Sequence, residues 1–107
     1  MISRTIITLL LLCTAALAQT PTTGRIAGTV KDPNGAVIVG AEVAVRSKAK
    51  GVERKVTTDG EGNYTVPFLP PGPYRVTVKG RGFAITVYDP VQVVITETTR
   101  INSNLEL

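Results

Sequence analysis

Beyond residue 24 the chain alternates apolar and polar residues with a period of two, and glycine or proline breaks the alternation roughly every 8–12 residues. A period of two sends successive side chains to opposite faces of a strand. No stretch of this region holds the 3.6-residue period of an amphipathic helix. The sequence is therefore restricted to short strands with one apolar face each. An open single sheet would leave that face wet, so two sheets joined by tight turns are expected.

The runs themselves give the strands. In residues 25–31, Ile26, Gly28 and Val30 share one face and Ala27, Thr29 and Lys31 the other. Residues 41–47 turn Ala41, Val43 and Val45 inward, against Glu42, Ala44 and Arg46. Residues 52–58 are more polar, which suits an edge strand blunted by charge. Residues 64–68 place Tyr64, Val66 and Phe68 inward, and the missing N–H of Pro67 must face solvent or a bulge. Residues 73–80 are the cleanest strand, with Tyr74, Val76 and Val78 inward. Residues 82–88, 91–96 and 100–107 follow, the last with Ile101, Leu105 and Leu107 on one face. About seven strands result.

The punctuation between them is specific. "DPNG" (32–35) and "DGEGN" (59–63) pair an aspartate with glycines that tolerate positive φ. "PPG" (70–72) makes a rigid corner in which Gly72 is expected to need positive φ, whereas the hairpin glycine Gly51 is expected to tolerate change.

The N-terminus reads differently. A basic lead, an apolar run from Ile6 to Leu17 and "ALA" at 16–18 form the three-part pattern of a secretory signal peptide, with cleavage between Ala18 and Gln19. The run is shorter than the roughly 20 residues of a membrane span, so no transmembrane segment is expected in the mature chain. Removal takes only Arg4 from the 12 basic residues and none of the 8 acidic ones, which lowers the net charge from +4 to +3. It also takes Cys13, the single cysteine, so the mature domain can form no internal disulfide. Residues 19–24 are expected to be a flexible lead into a domain spanning 25–107. An exported domain without cysteine fits a bacterial envelope, in the periplasm, at the outer membrane or secreted.

These pieces occur in a familiar order. Gly28–Val30, Asp32–Gly35, Gly40–Val43, Thr58–Tyr64, Leu69–Tyr74 and Gly82–Phe83 together resemble the carboxypeptidase regulatory-like domain. The resemblance covers roughly residues 24–107. It implies an all-β, seven-stranded Greek-key sandwich of the transthyretin (prealbumin) type, and a non-catalytic companion module. The wording around "LPPGPYRVTVKGRGF" is most similar to domains at the N-terminus of TonB-dependent receptors.

The residues themselves point away from catalysis. The chain has no histidine, and the mature part has no thiol, which removes the usual general base, zinc ligands and sulfur nucleophile. No cofactor is expected. Asp59, Glu61 and Asn63 have the alternate spacing that begins a calcium loop, without its later ligands; a backbone-bonding turn explains them as well. Among the aromatics only Tyr88 alternates outward and offers a ligand face. Arg46, Lys48, Lys50, Arg54 and Lys55 form a basic run with no aromatics among them. That pattern suits a solvated hairpin or an acidic partner better than nucleic acid. The expected function is an interaction module that meets a protein of the cell envelope. The alternatives are a module for an envelope polysaccharide, or the leading domain of a TonB-dependent receptor.

Overall fold

A computed structural model describes residues 21–107. The expected signal peptide and its cleavage point lie outside the described residues. Within them the chain is all β, in eight strands: β1 (Gly24–Lys31), β2 (Glu42–Ser47), β3 (Glu53–Thr57), β4 (Asn63–Leu69), β5 (Gly72–Lys79), β6 (Thr86–Val93), β7 (Thr98–Arg100) and β8 (Ser103–Asn104). One sheet runs β4-β1-β7, with β8 also paired to β1; the other runs β3-β2-β5-β6. No helix among these residues is long and apolar enough to cross a membrane.

The inner faces are built from the residues that the alternation selects. Ile26, Val30 and Val66 from the first sheet meet Val43, Val45, Tyr74, Val76 and Val78 from the second, all buried, and Leu105 closes the core. β-Branched valine dominates because its stiff side chain fits a pleated, half-covered surface. The two aspartate turns are copies of one device. Asp32 Oδ1 accepts the amides of Asn34 and Ala36, and Asp59 Oδ1 accepts those of Glu61 and Asn63. Each turn then closes on a glycine with positive φ, Gly35 at 86° and Gly62 at 75°. The corner glycine Gly72 has φ 138°, in a region that essentially only glycine occupies. Gly51 also has positive φ, 69°, so the tolerance expected there is lost.

Several sequence expectations are corrected. Phe68 is not in the core: it is 74% exposed, and Leu69 is buried in its place. The cause lies at Pro67. The register between β1 and β4 slips between the Gly24–Leu69 and Ile26–Val66 pairs, a bulge that inverts the alternation after Val66. Residues 82–88 and 91–96 do not make two strands; one strand, β6, carries parts of both, with the register irregularity opposite Arg75. Tyr88 is half-buried against the core rather than turned outward, and its hydroxyl donates to Ser103 Oγ at 3.0 Å. The final segment divides into β7 and β8, each parallel to β1. Leu107 ends exposed, away from Leu105. The lead is also shorter than expected, since Gly24 is buried in β1 and the Thr23 carbonyl accepts the Thr96 amide at 3.0 Å.

Gly28 explains how the first sheet is locked. A Cβ there would lie 1.8 Å from the Ile101 carbonyl oxygen and 3.0 Å from the Tyr64 hydroxyl. The vacancy lets Tyr64 Oη donate to that carbonyl at 2.6 Å, tying β4 across β1 to the β7–β8 crossing. Burial, with Tyr88 nearby and against the opposing pull of Arg100, pushes the Tyr64 phenol up to about 12. The folded state thus holds this proton more tightly than the unfolded chain, whose tyrosine titrates near 10. The stabilisation is complete below pH 10 and is lost as pH rises through 12. Chemical denaturation from pH 9 to pH 12 is expected to show about 2–3 kcal/mol of loss from this residue. Tyr64→Phe, less stable at pH 9, should lack that increment; an equal alkaline loss in both proteins would refute the assignment.

Candidate functional site

The basic run does not form one patch. Arg46 lies on the outer face of β2, opposite Glu53 on β3 and Arg75 on β5. Lys55 shares that face, opposite Ala44, and sits 3.9 Å from Glu53. Arg54 is registered with buried Val45, so it occupies the other side of the edge strand. Lys48 and Lys50 lie in the turn between β2 and β3. The Lys48 ammonium donates to Asp89 Oδ1, and Arg75 Nε donates to Asp89 Oδ2 at 2.9 Å. The bond from Lys48, followed by that from Arg75, holds the Asp89 carboxyl below its ordinary range. Part of the positive charge is therefore spent inside the sheet, pinning the β2–β3 turn to β6.

Two of the three residues at the calcium spacing, Asp59 and Asn63, make local hydrogen bonds. Asp59 bonds its own turn, as Asp32 does with no second acid beside it. Asn63 Oδ1 accepts from Thr29 Oγ1 at 2.6 Å. Glu61 is exposed on the turn. Among the described residues no three His, Cys, Asp or Glu side chains gather as a metal site would require. Tyr88 packs half-buried against the core with its hydroxyl donating to Ser103 Oγ, so its ring is less open than the alternation predicts.

What alternation did not reveal lies on the outer face of the other sheet. There β1 presents Arg25, Ala27 and Thr29, β4 presents Asn63 and Thr65, and β7 presents Thr98 and Arg100. Ala27 is the small floor of a shallow depression, flanked by Arg100 and Thr65 at its own level. Arg25 Nε donates to Thr98 Oγ1, which orients the guanidinium; its terminal N–H groups make no further hydrogen bond among the described residues. A second depression adjoins it and shares Arg25; it is lined by Phe68, Thr96 and Glu97. Phe68 and Thr96 are the two non-glycine residues with positive φ, 57° and 65°, among those described. The signal that could have pointed here was Pro67, whose bulge turns the next side chain around.

The model of the carboxypeptidase regulatory-like domain family matches residues 25–106. The TonB-dependent transporter Oar of Myxococcus xanthus is 35% identical over 98 residues, which is 90% of this chain and 9% of that protein. The Bacillus anthracis TIE protein shares the fold with a TM-score of 0.68 at 22% identity, over 79% of this chain and 16% of that one. Hydroxyquinol 1,2-dioxygenase from Pseudomonas putida does so with a TM-score of 0.63 at 10% identity, over 83% of this chain and 58% of that one. At those identities the likeness is one of fold, and the fold does not carry the enzyme's chemistry with it. The family and the transporter relative point to a non-catalytic domain. With two face-packed sheets and a family match over nearly all of the described residues, the chain belongs to the carboxypeptidase regulatory-like domain family.

Proposed function

We propose that the chain is a non-catalytic, exported binding module of a bacterial cell envelope that docks another envelope protein along the free edge of β6. One observation carries the docking surface. Ile85 and Val87 are 60% and 51% exposed at that edge. In β6 the residues registered with Val76 and Val78 turn their backbone groups toward β5, which leaves those of Val87 facing out. β3 is blunted by Glu53, Arg54 and Lys55 and β4 by Pro67. β6 itself carries Asp89 and Pro90, while the Ala84 amide is bonded to Glu106 and the Gln92 carbonyl to Thr99, so the open stretch of the β6 edge is the short one around Val87. An apolar edge with unpaired backbone groups is what an added strand recognises.

The envelope setting rests on the transporter relative and on the leader read in residues 1–18, which gives an exported form beginning at Gln19. A second reading, the leading domain of a longer TonB-dependent receptor, is favoured by the same 35% identity and keeps the β6 edge as the contact. Crosslinking in intact cells followed by mass spectrometry tests the proposal. The wild type is expected to start at Gln19 and to recover one defined envelope protein. Val87→Lys should lower that recovery about tenfold or more by placing a charge against the added strand. Equal recovery with the variant, or none with the wild type, contradicts the docking surface.

A further inference from the structure

We infer a second binding site, independent of the β6 edge: the outer face of the β4-β1-β7 sheet, from Phe68 to Arg100, takes an acidic polysaccharide whose uronic-acid carboxylates pair with Arg25 and Arg100. Two separate observations meet at this place. The first is strain. Left-handed backbone is costly for residues with a side chain, above all for a bulky or β-branched one. Phe68 and Thr96 both adopt it, and both line the depression that Arg25 borders. Strain that persists in this way clusters at ligand sites, where the surrounding structure holds a side chain in position for contact. Here its effect is to hold a phenyl ring in water, 74% exposed, although the alternation of β4 would otherwise bury it. The scaffold that holds it is rigid, because Leu69 beside it is fully buried and Gly24 opposite is paired in β1.

The second observation is charge. Arg25 and Arg100 form no ion pair among the described residues, as is true of several other cations, but these two share one depression whose lining holds no carboxylate. Thr98 orients the Arg25 fork through its Nε. Arg100 is registered with Ala27, two residues along β1 from Arg25, so the two Cα atoms lie roughly 8 Å apart by strand rise and spacing. A planar guanidinium matches a carboxylate through paired hydrogen bonds. Glu97 is the one carboxylate lining the Phe68 end, and the Ala27 end has none, so the face is complementary to a chain carrying negative charge at intervals.

The remaining chemistry selects a sugar rather than a peptide. Between the two arginines the floor is Ala27, and the flanking groups are hydroxyls and amides. Apolar surface on this strip is confined to the Phe68 end, where Pro67 and Phe68 line the depression. Thr29 occupies the oxygens of Asn63 and Asn102, which leaves their NH2 groups as donors to ligand hydroxyls. An exposed ring at one end offers the C–H face of a pyranose an apolar platform. Shallow, open and polar, the strip fits an extended polymer better than a small molecule enclosed in a pocket.

Titration of the purified protein with polygalacturonate, beside dextran and inorganic polyphosphate, tests the inference. Polygalacturonate is expected to bind, to weaken as salt rises, and to exceed both other polymers. Phe68→Gly, which relieves the positive φ, should keep or raise the melting temperature while weakening binding about tenfold or more. Arg25→Gln and Arg100→Gln should each weaken it about tenfold, and Arg46→Gln should not. Binding to dextran as strong as to polygalacturonate, or equal binding to polyphosphate that all four variants leave unchanged, would overturn the acidic-glycan site. So would no binding at all. None of these results touches docking at β6, which Val87→Lys tests separately.

Discussion

Gly28→Ala is expected to lower stability by about 3 kcal/mol or more, at the upper end of what overpacking does in a core. The added methyl would sit 1.8 Å from the Ile101 carbonyl oxygen, which is backbone and cannot rotate away. Relief requires the β7–β8 crossing to lift off β1. That movement breaks the 2.6 Å bond from Tyr64 and opens the seam that holds two parallel strands against β1. A domain of this size has only about 5–10 kcal/mol in hand, so the variant should be partly unfolded well below the melting point of the wild type. Gly60→Ala is the matched control. Nothing lies within 4 Å of the position and its φ is ordinary, so a change of no more than about 0.5 kcal/mol is expected. Denaturant midpoints for the two variants decide the point, and equal midpoints would mean that the seam is not tight.

Tyr74→Ala should cost about 3–5 kcal/mol, the range for deleting a buried aromatic ring. Tyr74 is among the largest fully buried side chains of the core. Its ring is buried in the core from β5, while its hydroxyl donates to the Pro70 carbonyl four residues earlier at 2.6 Å. The two roles can be separated. Tyr74→Phe keeps the ring and leaves one carbonyl unbonded at the 70–72 corner, for an expected loss of about 1–2 kcal/mol. Thermal unfolding of the pair gives the split. Similar losses for both variants would mean that the corner bond, not the ring, anchors β5.

Where alternation is unbroken, the fold was legible. Residues 41–47 and 73–80 lie in β2 and β5, the two inner strands of their sheet, and no bulge disturbs their mutual register, so each alternate valine went inward as read. The aspartate turns were legible because the interaction is local: a carboxylate and the amides two and four residues on. Phe68 and Tyr88 were misplaced because alternation was counted across a break in the strand: for Phe68 the bulge after Val66, and for Tyr88 the turn at 80–83, since Phe83 precedes a strand that begins only at Thr86. In β4 one slipped residue reverses every side chain beyond it. Proline marks the first place, but it announces a bulge without saying which neighbour turns out.

The arginine face was not legible by any local rule. It depends on parallel pairing of β1 with β7, which brings the first and nearly the last strands of the domain side by side. A three-residue strand has no periodicity to detect, and parallel neighbours distant in sequence leave no turn signature. The need for glycine at position 28 was hidden in the same way, because the Ile101 carbonyl and the Tyr64 hydroxyl reach it only through the tertiary fold.

Everything functional on the first sheet depends on the inversion after Val66, which puts Leu69 inside and leaves the ring of Phe68 in solvent. Nuclear Overhauser contacts measured on the labelled protein test it directly. The Leu69 methyls are expected to contact core valines such as Val66 and Val91, and the Phe68 ring to show contacts only with its own depression, near Arg25 and Thr96. Strong contacts between the Phe68 ring and the core valines, with Leu69 methyls free of them, would contradict the account.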